Sequence, residues 1–248
     1  MVPDGTRIGF ICPPEHEMFS PIASKLHDRG YDVTFLEPGV EVATDRLDDL
    51  DLLVNKKVRW ASVHALEYAY RNRIPAWNDY VATTIFLNRL SQLLSLSVAG
   101  FSVPEVLSHE PEGDYVAKGF LDIHEEPTLN GEGDMYQPLL DFDGTDEKYY
   151  AVDDGDEVHV AVTRFESKLF GEREFLGRGK VDSSIASCIR RLLSFTGARA
   201  LGVDVVRVDG EPYAIDVNPA TSFRRTGLER PLVDSIANAA MQSGSRRR

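Results

Sequence analysis

Asp204, Asp216 and Asn218 have the types and spacing of a divalent-cation site. They lie in residues 202–219, GVDVVRVDGEPYAIDVNP. Asp209-Gly210 is a strong hairpin-turn signal, so 202–208 and 212–217 read as antiparallel strands on which Asp204 and Asp216 pair. Asn218, two residues beyond Asp216, points to the same face by the period-two rule. Val203, Val205, Ile215 and Val217 fall on the opposite, apolar face. Two carboxylates and one amide oxygen aimed at one point form a hard oxygen donor set. Magnesium takes such a set, usually one or two carboxylates completed by substrate phosphates. The competing reading is a solvated hairpin face with incidental acids. Strict alternation with Val and Ile argues against it.

Lys118 ends a β-type run at 115–118 and is one of only seven lysines in the chain. A lysine there can act as a point charge against phosphate oxygens, or simply face solvent. Arg164 ends a second run at 158–164, and Arg178 lies in the basic loop 175–180. Other chemistries lack their motifs. The glycine-rich nucleotide loops and the Gly-x-Ser-x-Gly elbow do not occur. The six histidines show no metal spacing, and His124 alone falls in a segment of interest, 119–134. Cys12 and Cys188 form no disulfide or zinc pattern, and Cys188 fits a helical apolar face as a small core residue.

These residues need a scaffold, and the chain is long enough at 248 residues to bury a sizeable core. Runs at 7–12, 32–36, 51–54 and 74–77 read as strands. Between them lie helical patterns at 19–29 and, with Ser62 as cap, at 62–71. Such alternation predicts a parallel, doubly wound sheet that binds ligands beyond its strands' C-terminal ends. Asn55, Lys56 and Lys57 follow the third strand at that position. Beyond Asn78 the pattern changes to a helix at 82–96, short strands at 115–118, 135–140, 148–152 and 158–164, a helix at 183–195 and the hairpin. The expected fold class is α/β plus α+β: a Rossmann-like unit over 1–77, a mostly antiparallel unit over 78–241, and a flexible tail at 242–248. Net charge is −13, which excludes general nucleic-acid binding, since phosphate backbones require a basic face. No apolar run reaches membrane-span length and no signal-peptide pattern opens the chain, so a cytoplasmic location is expected. Oligomeric state is open.

The hairpin resembles the end of an ATP-grasp domain, whose final strands carry an acid and then an acid-x-Asn that bind two magnesium ions. The resemblance is to RimK-like (ribosomal-protein glutamate ligase-like) carboxylate–amine ligases and to the inositol polyphosphate kinases of the same fold. It runs from about residue 50 to 240. Ile74-Pro-Ala-Trp-Asn78 resembles the family's sheet-to-helix junction, and Phe101-Ser-Val-Pro104 the turn that opens the nucleotide domain. The resemblance implies that Lys118 holds the α- and β-phosphates and that Gln137, Leu139 and Leu140 line the adenine hinge. It further implies that Asp146 and Lys148 meet ribose and phosphate, and that Arg164 and Arg178 stabilise the transferring group. Arg89 stands where the family has a lysine. The glycine-rich flap is reduced to 119–134, with Gly131 and Gly133 as remnants. ATP and magnesium are the implied cofactors. A small-molecule or peptide carboxylate and an amine or amino acid are the implied substrates, joined through an acyl phosphate. Two alternatives stand beside this: a small-molecule kinase, and a nucleotide-binding module without catalysis.

Overall fold

The computed structural model describes residues 5–123, 126–171 and 174–246; His124 lies outside them. Strands β1 (Arg7–Ile11), β2 (Asp32–Leu36), β3 (Leu52–Asn55) and β4 (Ala76–Trp77) form an all-parallel sheet in the order β2-β1-β3-β4. Every residue of β3 is buried, as an apolar strand covered on both faces requires. Helices α1 (Phe19–Asp28), α2 (Thr44–Asp48) and α3 (Trp60–Arg71) connect these strands. Ser62 is not the residue that caps α3. The helix begins two residues earlier, and Ser62 Oγ accepts the Arg59 backbone N–H from within the first turn at 3.0 Å.

The apolar pattern at 82–96 is also not one helix. It divides into α4 (Tyr80–Leu87) and α5 (Arg89–Ala99), with Asn88 extended between them at φ −90°, ψ 117°. Asn88 Oδ1 accepts the Ser91 N–H at 2.9 Å. A side chain that caps a new helix this well competes with continuing the old one. The break makes Arg89 the first residue of α5, where it is buried.

Two antiparallel sheets follow. The small one, β6-β5-β7, consists of β5 (Tyr115–Lys118), β6 (Thr128–Leu129) and β7 (Met135–Pro138). The large one has the order β10-β9-β8-β11-β12. Its strands are β8 (Thr145–Asp153), β9 (Val158–Glu166), β10 (Phe175–Arg178), β11 (Ala200–Val208) and β12 (Glu211–Asn218). Helix α6 (Ser183–Thr196) precedes β11, and α7 (Glu229–Arg246) ends the described chain. The backbone of the expected tail is therefore helical as far as Arg246.

Alternation along the strands builds the core in layers. Tyr149, Val203, Val205 and Val217 face α5 and α6, packing on Leu93, Leu96, Ile189 and Leu192. On the other face, Tyr150 and Val152 join Leu232 and Ile236 of α7 and Ile8, Phe10 and Val54 of the parallel sheet. One core thus continues across residue 77. Asn78 stitches the same seam: its Nδ2 donates to the Pro219 carbonyl at 2.7 Å and its Oδ1 accepts the Arg199 N–H at 2.7 Å. Among the described residues no helix is long and apolar enough to cross a membrane.

Candidate functional site

Five directly opposed residues form a row across the large sheet. Asp216 on β12 faces Asp204 on β11, which faces Lys148 on β8, then Thr163 on β9 and Arg178 on β10. Directly opposed residues project from the same face, so the row presents two acids and two bases on one surface. Lys148 Nζ donates to Asp204 Oδ2 at 2.8 Å. Arg89 forks, with one Nη 3.1 Å from Asp216 Oδ1 and the other 2.8 Å from Asp122 Oδ1. Asn218 Oδ1 accepts the Ala220 N–H at 2.8 Å, fixing the turn that follows.

The hairpin has one feature that alternation alone does not predict. Register shifts after Asp204, so that Val205 pairs with Ala214 and Ile215 is the extra residue of a β-bulge. Ile215 was expected on the core face with Val217. Instead Ala214 takes the core position, and Ile215 lines the cleft and turns its carbonyl to Lys118 Nζ at 2.9 Å. Gly202 provides the clearance. A Cβ there would stand 2.9 Å from Lys148 Cε and 3.1 Å from Thr221 Cβ, so a bare backbone lets the lysine lie across β11.

Between the small and large sheets lies a cleft of about 340 Å³. The residues expected to hold a nucleotide, Arg89, Lys118, Gln137, Leu139, Leu140, Asp146 and Lys148, all line it, together with Asp204, Asp216 and Asn218. Gln137 is only 2% exposed and its Nε2 has no hydrogen-bond partner among the described residues. A buried donor left unmet at a cleft wall is what a ligand acceptor would satisfy. The two expected catalytic arginines behave differently. Arg178 ends the row, and its Nε is tied to the Arg225 carbonyl at 2.8 Å. Arg164 pairs with Glu147 and Gly177, one residue out of phase with the row. It therefore sits on the sheet's opposite face, exposed, and the structure does not bring it to the cleft. A strand-ending arginine gives no sign of its phase until the strand's partners are known.

Electrostatics follow from burial and the neighbouring charges. Burial pushes the Lys118 ammonium down to about 8, with Asp216 opposing. Lys148 is also buried, but Asp204 outweighs desolvation and raises its pKa. Asp122 is pushed up to about 6 by burial and by Asp216, against Arg89 and Lys118.

Asp122, Glu126 and Pro127 line one wall of the cleft. Arg89 N donates to the Phe120 carbonyl and Asp122 N to the Leu87 carbonyl, each at 2.8 Å, so this segment docks on the α4–α5 break. Gly133 allows its return past β5, since a Cβ there would lie 2.7 Å from Lys118 N. Glu126 pairs with Lys168 at 2.8 Å, and both line the cleft. Nothing in the sequence marks Asp122 or Glu126. Neither sits in a motif, and their positions depend on where Asn88 breaks the helix.

Asn55 and Lys56 are not the ligand-facing loop residues expected of them. Asn55 is buried, its Oδ1 accepting the Lys57 N–H at 3.1 Å. Lys56 is 2% exposed, its Nζ donating to the Thr221 carbonyl at 2.7 Å. The ammonium lies 4.5, 5.1 and 5.5 Å from the ring centroids of Phe19, Phe223 and Trp77. It pins the loop after Asn218 to the parallel sheet. Burial lowers its pKa from 10.5 to about 7, although the rings favour the cation. Between those values the unfolded chain binds more protons than the native one, so stability rises with pH across the window. Lys56→Met should flatten that rise in urea denaturation at several pH values between about 7 and about 9. An unchanged slope in the variant would contradict it.

No protein-family model matches the sequence, and no curated protein matches it. Solved structures do. A RimK domain ATP-grasp protein from Sphaerobacter thermophilus superposes with TM-score 0.71 at 13% identity, covering 95% of this chain and 100% of that one. The ATP-grasp ligase PsnB with its minimal precursor gives 0.69 at 16%, covering 94% and 99%. The macrocyclase MdnC from Microcystis aeruginosa, bound to its precursor peptide MdnA, gives 0.67 at 10%, covering 96% and 99%. The chain has the ATP-grasp fold.

Proposed function

We propose that this ATP-grasp chain is an ATP- and magnesium-dependent ligase joining a carboxylate to an amine. The observation carrying the reading is the convergence of two acids and three bases, Asp204, Asp216, Lys148, Lys118 and Arg89, on one cleft. PsnB, of the same fold, has been solved with magnesium and ADP, and PsnB and MdnC with precursor peptides. A peptide or small-molecule carboxylate is therefore the substrate class we assign.

The donor set suits the cofactor. Asp204, Asp216 and Asn218 offer hard oxygens, as magnesium requires, and the three bases offer cations to a triphosphate. Bound magnesium would neutralise charge building on the terminal phosphates. Leu139 and Leu140 would flank the adenine, with Gln137 Nε2 as a donor beside it, and Asp146 would accept from ribose. Lys118 and Lys148 would hold phosphate oxygens in line with the acceptor carboxylate, and Arg178 would neutralise the transferring group. Positioning and charge compensation are most of what phosphoryl transfer requires. A carboxylate oxygen attacks the γ-phosphorus of ATP and ADP leaves, giving an acyl phosphate; the amine then attacks its carbonyl carbon, loses a proton and displaces inorganic phosphate to leave an amide.

Phosphate release tested with pooled amino acids and carboxylate-bearing peptides should depend on ATP, on magnesium and on an amine. Phosphorylation of an acceptor without amine dependence would transfer the assignment to a kinase. Magnesium-dependent nucleotide binding with no turnover would make the chain a binding module.

A further inference from the structure

We infer that Asp122 is a positioning residue, holding Arg89 at the nucleotide when Asp216 is taken up by the metal. This rests on the nucleotide reading above.

Arg89 is 2% exposed, and a buried guanidinium needs fixed anionic partners. Among the described residues two carboxylates hold it, Asp216 and Asp122, one on each side of the fork. Under the proposed reading Asp216 turns its charge to a divalent cation. Arg89 would then face that cation with one of these two carboxylates withdrawn. Asp122 is the carboxylate that remains, and it is suited to stay: its own N–H is held by the Leu87 carbonyl, while the Arg89 N–H is held by the Phe120 carbonyl. This reciprocal backbone bridge fixes the two residues relative to one another without help from either side chain. The Nη that leaves Asp216 turns to a phosphate oxygen, with the other Nη still anchored on Asp122.

The sign of the effect distinguishes this from general electrostatics. Asp122 is a negative charge lining the cleft, so removing it should by itself tighten triphosphate binding. A weakening must come from losing the hold on Arg89.

The test is calorimetric titration of the full chain with a non-hydrolysable ATP analogue, with and without magnesium, for wild type, Asp122→Asn, Asp122→Ser and Asp122→Glu. We expect Asp122→Asn and Asp122→Ser to bind on the order of tenfold more weakly with magnesium, with much less change without it, and Asp122→Glu to recover most of the loss. In an Arg89→Met background, Asp122→Asn should have no further effect. Equal or tighter binding by both neutral variants with magnesium would overturn the inference, as would equal weakening with and without it. Either neutral variant suffices if the other does not fold. Asp216→Ala, run in parallel, separates the two levels. If it loses magnesium-dependent binding while the Asp122 variants keep theirs, the inference fails and the nucleotide reading stands. If it too binds as wild type does, both fail.

Discussion

Asp216→Ala is expected to lower magnesium-dependent turnover by at least about 10²-fold while leaving the fold intact. Loss of an outer-shell partner of a metal already costs about 10–100-fold, and Asp216 is proposed as a ligand itself, one of only two carboxylates in the set. The remaining Asp204 shares its charge with Lys148, so the variant site would hold a divalent cation weakly and leave the phosphates under-compensated. Stability should change little. The core contacts of β12 come from Ala214 and Val217, and the Asp216 side chain is 26% exposed. Arg89 keeps Asp122 as its partner, so no buried cation is left bare. Phosphate release titrated with magnesium measures the effect, with thermal melting as the control on folding. A variant turning over at the wild-type rate, at the wild-type magnesium requirement, would contradict the assignment.

Lys118→Met should separate binding from stability, with opposite signs. The ammonium is buried, and desolvation is the main force lowering its pKa to about 8, so the folded chain is strained by holding the charge. Methionine has similar length and no charge to desolvate. It gives up the hydrogen bond to the Ile215 carbonyl, but the carbonyl of a bulge residue at a cleft wall can turn to water. The thermal midpoint of the free variant should therefore equal or exceed that of wild type. Nucleotide affinity should move the other way. A charge-assisted hydrogen bond to phosphate contributes about 1.5–3 kcal/mol, or roughly 10- to 100-fold in affinity. The midpoint shift that magnesium and ATP give the wild type should largely vanish. A variant that melts earlier than wild type yet keeps the full ligand-induced shift would mean that Lys118 is a structural residue.

What could be read from the sequence was whatever local chemistry determines. Asp209-Gly210 admits a tight turn and so discloses the hairpin, but a regular ladder from that turn would set Asp204 opposite Ile215, and it is the bulge that brings Asp216 there. What could not be read depends on non-local register. The bulge at Ile215 adds one residue to one strand, and nothing in the composition of β12 announces it. Arg164 was assigned by its place at a strand's end, yet its phase relative to Lys148 is fixed by pairing across β8 and β9. Lys56 was read from its position after a parallel strand. Its fate was decided by Phe19, Trp77 and Phe223, which come from three distant parts of the chain. Asn88 is the instructive case between these extremes. Asparagine is a good helix cap, but the apolar pattern running across Asn88 reads as one helix, and the break is what gives Arg89 and Asp122 to the cleft.

The central claim, that Asp204, Asp216 and Asn218 hold a divalent cation beside a nucleotide, is tested most directly by crystals grown with manganese and a non-hydrolysable ATP analogue. Anomalous scattering should show manganese at about 2.1–2.2 Å from oxygens of both aspartates, with phosphate oxygens completing its shell and Lys118 and Lys148 alongside. Nucleotide bound with its metal away from these strands, or with Asp204 still closed on Lys148 and Asp216 on Arg89, would contradict it.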